Sequence, residues 1–129
     1  MGLAGRVFRA ERVLTPAAVR AFAELTGDAN PLHCDPAAAA QCGFAGPIVP
    51  GMLAASLFAA LIGSHLPGAV YLSQELRFRA AVPVGDRVTV EVAVETEREL
   101  RGRRRLQLGT SVRRGDGLLA VEGRAEVLL

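Results

Sequence analysis

Between Phe22 and His33 the chain reads Phe-Ala-Glu-Leu-Thr-Gly-Asp-Ala-Asn-Pro-Leu-His. Asp28 and His33 stand five residues apart on either side of an Asn30-Pro31 step. A carboxylate and an imidazole carried on one short loop can converge on one water, hold it and move its protons, which is general acid–base chemistry. The neighbouring residues favour such a display. Gly27 is a natural helix stop. Pro31 pushes Asn30 towards extended backbone, so the preceding helix cannot run on. Asn30 can hold the turn by bonding local backbone groups. Taken alone, Asp28 is equally well a turn residue after a glycine, and His33 a structural histidine.

A second segment, Gly43-Phe44-Ala45-Gly46-Pro47-Ile48-Val49-Pro50-Gly51-Met52-Leu53, leads into an all-apolar stretch. A helix starting there offers unpaired backbone N–H groups and a partial positive charge. Gly51 lets a ligand come close to that backbone, and a carbonyl bound there is polarised as in an oxyanion hole. The plain alternative is a turn followed by a proline-capped core helix. Further along the same stretch, Ala59 and Ile62 lie two and three turns in and are candidates for the depth of a pocket.

These segments need elements to position them. Phe8–Leu14 reads as a short strand. Thr15 is an N-cap with Pro16 at the first helical position, and Val19, Phe22, Ala23 and Leu25 form a helical stripe. Asp35-Pro36 repeats the cap signal before a short helix over Ala37–Gln41. Met52–Leu66 is apolar on nearly every face and is expected to be buried on all sides. From Val70 the pattern turns β-branched and alternating, with strands over 70–82, 87–100, 104–114 and 118–128. Val88, Val90, Val92 and Val94 fall on one face of the second of these. Turns are expected at Pro83–Asp86, at Arg101–Arg103 and at the tight Gly115-Asp116-Gly117 hairpin signal. Helices first and strands after predict an α+β fold with an antiparallel sheet wrapped around a central apolar helix.

The 129 residues predict one domain over 1–129. Half the residues are apolar and 22% charged, a globular composition. The net charge of +2 on 15 basic and 13 acidic residues is too even to indicate nucleic acid as a partner. All the basic residues are arginine. The apolar run from Met52 is too short to read as membrane-spanning, and the first residues lack a signal-peptide core, so the expectation is a cytoplasmic protein with no membrane partner. Cys34 and Cys42 make neither a disulfide framework nor, with His33 alone beside them, a zinc site; both read as small hydrophobes. His65 reads as a helix C-terminal cap. Arg101–Arg105 reads as a solvated hairpin turn, although this run, or Arg77 and Arg79, could meet phosphates.

The two chemical segments together resemble the MaoC-like, (R)-specific enoyl-CoA hydratase family of the hotdog fold. Its signature is an aromatic residue, then Gly-Asp-x-Asn-Pro-aliphatic-His, matched here by Phe22 and Gly27–His33. The Pro47-Ile48-Val49-Pro50-Gly51-Met52-Leu53 helix start and the later strand order extend the resemblance over most of the chain. It implies that Asp28 and His33 are a catalytic pair adding water to a trans-2-enoyl-CoA to give an (R)-3-hydroxyacyl-CoA. It further implies that the Gly51 N–H stabilises the enolate oxygen and that Asn30 supports the loop. Neither a metal nor a redox cofactor is expected, coenzyme A being part of the acyl-thioester substrate. A symmetric homodimer with its pocket bordered by both subunits is expected as well. One departure is Pro50, where many relatives carry histidine; it has neither a titratable group nor an N–H. The alternatives are a hotdog dehydratase or thioesterase acting on acyl-carrier-protein or acyl-CoA substrates, and a non-catalytic acyl-CoA-binding subunit.

Overall fold

Alternation of valine with polar residues makes the central strand. In β3 (Arg87–Leu100), Val88, Val90, Val92 and Val94 are all buried, while residues between them face outward. The computed structural model describes residues 2–129, and around β3 it places β1 (Val7–Val13), β2 (Val70–Phe78), β4 (Arg103–Arg113) and β5 (Leu119–Leu128). They form one five-stranded antiparallel sheet in the order β1-β3-β4-β5-β2. The helices are α1 (Pro16–Thr26), α2 (Pro36–Gln41) and α3 (Gly51–His65), with a single 3₁₀ turn at Pro31–His33.

The sheet cradles α3, as expected of a hotdog fold. Ala54, Phe58, Leu61 and Ile62 of α3 pack onto the inward side chains of β3, Leu106, Leu108 and Val112 of β4, and Ala125 and Val127 of β5. Burial of this apolar surface is the main term holding helix to sheet. The expectation that α3 is enclosed on every side is corrected: Met52, Ser56, Ala59, Ala60, Gly63 and Ser64 are exposed. A five-stranded sheet covers one face of a helix, and this one leaves the small-residue face bare.

The expected local signals hold α1 in place. The Thr15 hydroxyl accepts from the Ala18 N–H at 3.1 Å, and Gly27 ends the helix at φ 79°, the left-handed backbone that glycine adopts without strain. One boundary differs from the expectation by more than a residue. The first long strand stops at Phe78 rather than 82, because the Arg79 and Ala80 N–H groups both turn to the Ala120 carbonyl. Residues 79–84 then leave the sheet to run beside the segment that enters α3, with an Ile48–Pro83 bridge and a Val49 N–H to Val82 carbonyl bond of 2.7 Å. Among the described residues no helix is long and apolar enough to cross a membrane.

Candidate active site

The Asp28–His33 loop is built so that each side chain is anchored by one polar atom and presents the other. The Thr26 hydroxyl bonds back to the Phe22 carbonyl and accepts from the Asp28 N–H at 3.2 Å, which carries the chain out of α1. Asp28 Oδ1 accepts from the Asn30 N–H at 3.1 Å. Asn30 Oδ1 accepts from the Leu32 N–H at 3.1 Å and so caps the 3₁₀ turn that carries His33. Asn30 thus starts a short helical turn rather than an irregular bend.

His33 Nδ1 lies 2.7 Å from the carbonyl oxygen of Ile48. A carbonyl only accepts, so Nδ1 carries a proton and donates it. Nε2 is then the atom free to exchange protons, and it faces Asp28 Oδ2 at 3.8 Å. That gap is too long for a direct hydrogen bond. It does allow a single oxygen to sit ~2.8 Å from both atoms. His33 is mostly enclosed, with its side chain 15% exposed, whereas Asp28 is 41% exposed and open to an incoming molecule.

Ile48 joins the two motif segments. Its N–H donates to the Leu32 carbonyl at 3.1 Å while its own carbonyl takes the His33 proton. Three residues later α3 begins at Gly51, with Pro50 at the N-cap and no side chain capping the helix. The Leu53 N–H donates to the Pro50 carbonyl at 3.0 Å, which leaves the Gly51 and Met52 N–H groups as the donors open to a ligand. A cleft of about 450 Å³ lies over this helix start, lined by Ile48, Gly51, Met52, Phe78, Arg79 and Val82 among others. Asp28 and His33 are not in its lining; His33 meets it through Ile48.

Ala59 and Ile62 do not line this cleft. Ala59 sits on the bare face of α3, and Ile62, 2% exposed, is packed in the core beneath the sheet. Of the arginines, Arg79 lines the cleft and bonds at 2.8 Å to Glu122, which with Arg77 lines a separate depression on the outer sheet face. Arg101–Arg105 lie at the far end of the β3–β4 hairpin. Phe78 is level with Val121, Val112 and Val90, ten strand residues from Leu100, or ~33 Å along β3.

Three participants had no signal in the residue pattern. Thr26 reads as one more helical residue. Ile48 acts through its carbonyl, which every residue has. Phe78 reads as a strand residue yet faces the start of α3. A larger open depression of about 680 Å³ lies on the outer sheet face over Gly109 and Ser111. Several of its charges pair, Glu91 with Arg9, Glu122 with Arg79 and Arg124 with Glu95, and its lining holds neither histidine nor cysteine. No cluster of three or more His, Cys, Asp or Glu among the described residues is placed to hold a metal ion.

An antiparallel sheet around one helix, with Asp28 and His33 facing each other on a loop beside the helix start, defines a hotdog-fold protein. Residues 4–114 match the family described as MaoC like domain, and the chain belongs to that family. It is 47% identical over 127 residues to the (R)-specific enoyl-CoA hydratase of Aeromonas caviae, covering 97% of this chain and 93% of that protein. It is also 39% identical over 125 residues to a mitochondrial 3-hydroxyacyl-[acyl-carrier-protein] dehydratase of Solanum lycopersicum, covering 97% of this chain and 76% of the relative. The solved structure of the A. caviae (R)-hydratase superposes with a TM-score of 0.89 over 96% of this chain and 94% of that one.

Proposed function

We propose that this protein is a hydro-lyase, an (R)-specific enoyl-CoA hydratase that adds water to trans-2-enoyl-CoA thioesters. The observation that carries the reading is the pairing of Asp28 Oδ2 with His33 Nε2, the one free atom on each side chain, at 3.8 Å. Water held between them is oriented by both. Its oxygen bonds to the β-carbon, its proton passes into the pair, and a proton from the pair reaches the α-carbon. Both side chains face the same water position, so the two proton transfers are assigned to the pair together. The thioester carbonyl takes the N-terminus of α3, where the Gly51 N–H strengthens its bond as enolate charge grows. No further reactant enters the balance, so the reading requires neither a metal nor a redox cofactor.

Because both groups act from one loop, hydroxyl and proton reach the same face of the double bond. Syn addition follows, and the (R) configuration of the product is taken from the likeness to the A. caviae (R)-specific enoyl-CoA hydratase. Purified protein given crotonyl-CoA is expected to remove the absorbance of the conjugated thioester and to yield (R)-3-hydroxybutyryl-CoA on chiral analysis. No loss of absorbance, or an (S) product, overturns the reading. A second reading, dehydration of 3-hydroxyacyl-carrier-protein thioesters, is favoured by the 39% identity to the tomato dehydratase. It uses the same groups in reverse, and a much higher kcat/KM on the carrier-protein thioester would select it. A homodimer is part of the proposal.

A further inference from the structure

Gly51 is not required by backbone conformation, since it is absent from the glycines with positive φ and starts an ordinary helix. What excludes a side chain there is a neighbour. A Cβ on Gly51 would lie 2.6 Å from Cε1 and 2.8 Å from Cδ1 of Phe78. The Phe78 ring therefore fills the space that a residue at 51 would occupy, directly beside the N–H assigned to the thioester carbonyl.

The ring stands on a fixed base. Immediately after Phe78, the Arg79 and Ala80 N–H groups donate to the Ala120 carbonyl at 2.7 and 3.2 Å. Arg114 Nη1 donates to the Ala81 carbonyl at 3.0 Å, and the Val49 N–H holds the Val82 carbonyl. The backbone beneath the ring is thus tied to β5, to the β4–β5 hairpin and to the entry of α3. The ring itself is not buried. It is 55% exposed and lines the cleft, and Met52, 59% exposed and next to Gly51 in the first turn of α3, lines it as well. A large apolar side chain on a pinned backbone, bare on its cleft side and in contact with the helix start on the other, is a wall of the substrate site.

We propose that Phe78 is a specificity-determining residue whose ring, seated against Gly51, restricts the acyl group to one unbranched at the carbon next to the thioester carbonyl. The inference rests on the hydratase reading. The α-carbon is bonded to the carbonyl carbon, so a branch there is the part of the acyl chain nearest to whatever flanks the carbonyl. A rigid pocket discriminates one methyl group by ~10–200-fold.

The test compares crotonyl-CoA with (E)-2-methylbut-2-enoyl-CoA on wild type, Phe78→Ala and Phe78→Leu. The ratio of kcat/KM values is followed across the three proteins, so the lower intrinsic reactivity of the branched thioester cancels. Wild type is expected to favour the linear substrate. Phe78→Ala is expected to move the ratio towards the branched one by ~10-fold or more, with Phe78→Leu between them. Phe78→Leu keeps the test decisive if the alanine variant fails to fold. Wild type inert on crotonyl-CoA sinks the hydratase reading and this inference with it. Wild type active, with the ratio unmoved in the folded variants, overturns this inference alone. A second measurement needs no turnover. Gly51→Ala is expected to lower Tm in the wild-type background and to do so less in the Phe78→Ala background; an equal loss in both would show that the ring does not fill the space beside residue 51.

Discussion

Asp28 and His33 illustrate how little side-chain freedom the proposed chemistry leaves. Each spends one polar atom on a backbone anchor, Asp28 Oδ1 on the Asn30 N–H and His33 Nδ1 on the Ile48 carbonyl. Each then has one atom left for a substrate. The anchors set the test. Asp28→Asn keeps an oxygen for the Asn30 N–H but loses the charge and the basicity. His33→Gln keeps a polar group near Ile48 but loses the ring nitrogen that faces Asp28. Each variant is expected to lower kcat on crotonyl-CoA by at least ~100-fold, the scale of a positioned acid or base. Circular dichroism and Tm should stay near wild type, since neither residue belongs to the buried core. Near-normal turnover in either folded variant would remove that residue from the pair.

At the scale of elements, α3 and the sheet form one packed unit, and Phe58 is its centre. Phe58 is 0% exposed, in one core cluster with Val90, Val92, Leu106 and Leu108. Phe58→Ala is expected to destabilise the fold by ~3–5 kcal/mol, the range for deleting a buried aromatic ring. Denaturant titration measures this, and a loss below ~1 kcal/mol would show that the helix is not clamped as described. The same unit shows what the sequence reveals and what it conceals. Local signals were legible: the Thr15 cap, the Gly27 stop, the period-two valines of β3 and the Gly115–Gly117 hairpin all stand where their chemistry puts them. The convergence of Asp28 and His33 on one loop was legible too, because Asp28, Asn30, Pro31 and His33 lie within one stretch of chain. Long-range placement was not. Nothing in the spacing of Val70–Val82 tells that the strand ends at Phe78 and that the ring turns onto Gly51, because that depends on Ala120, forty-two residues away in sequence. Nor does an all-apolar helix tell which of its faces the sheet will cover, and this is why Ala59 proves exposed and Ile62 proves core. The requirement for glycine at 123 was equally silent: a Cβ there would run into the Glu75 carbonyl of the neighbouring strand.

For the whole molecule, the two sheet edges are unlike each other, and the difference argues for the proposed homodimer. One edge is β1, seven residues long, with Arg9, Glu11 and Arg12 along it. Short, charged edges resist pairing with another chain. The other edge is β2, nine residues long, without proline or lysine, and it carries exposed Val70, Tyr71, Leu72 and Phe78. Such an edge offers unpaired backbone groups beside apolar surface and invites another strand. Antiparallel pairing of β2 with a second β2 is self-complementary and closes after two copies, which is the symmetry of an isologous dimer. The same pairing would carry the bare face of α3, with Ser56, Ala59, Ala60 and Gly63, towards its equivalent in the partner. The cleft at Gly51 lies beside the Phe78 end of this edge, so a partner strand would also border the substrate site. Sedimentation equilibrium is expected to give a dimer at micromolar concentration, with a Tm that rises with protein concentration. Leu72→Glu places a charge in each half of the pairing edge and is expected to shift the protein towards monomer and to lower activity with it. A wild-type monomer at those concentrations, or a Leu72→Glu variant that sediments and turns over as wild type does, would mean that this edge is not where the copies meet.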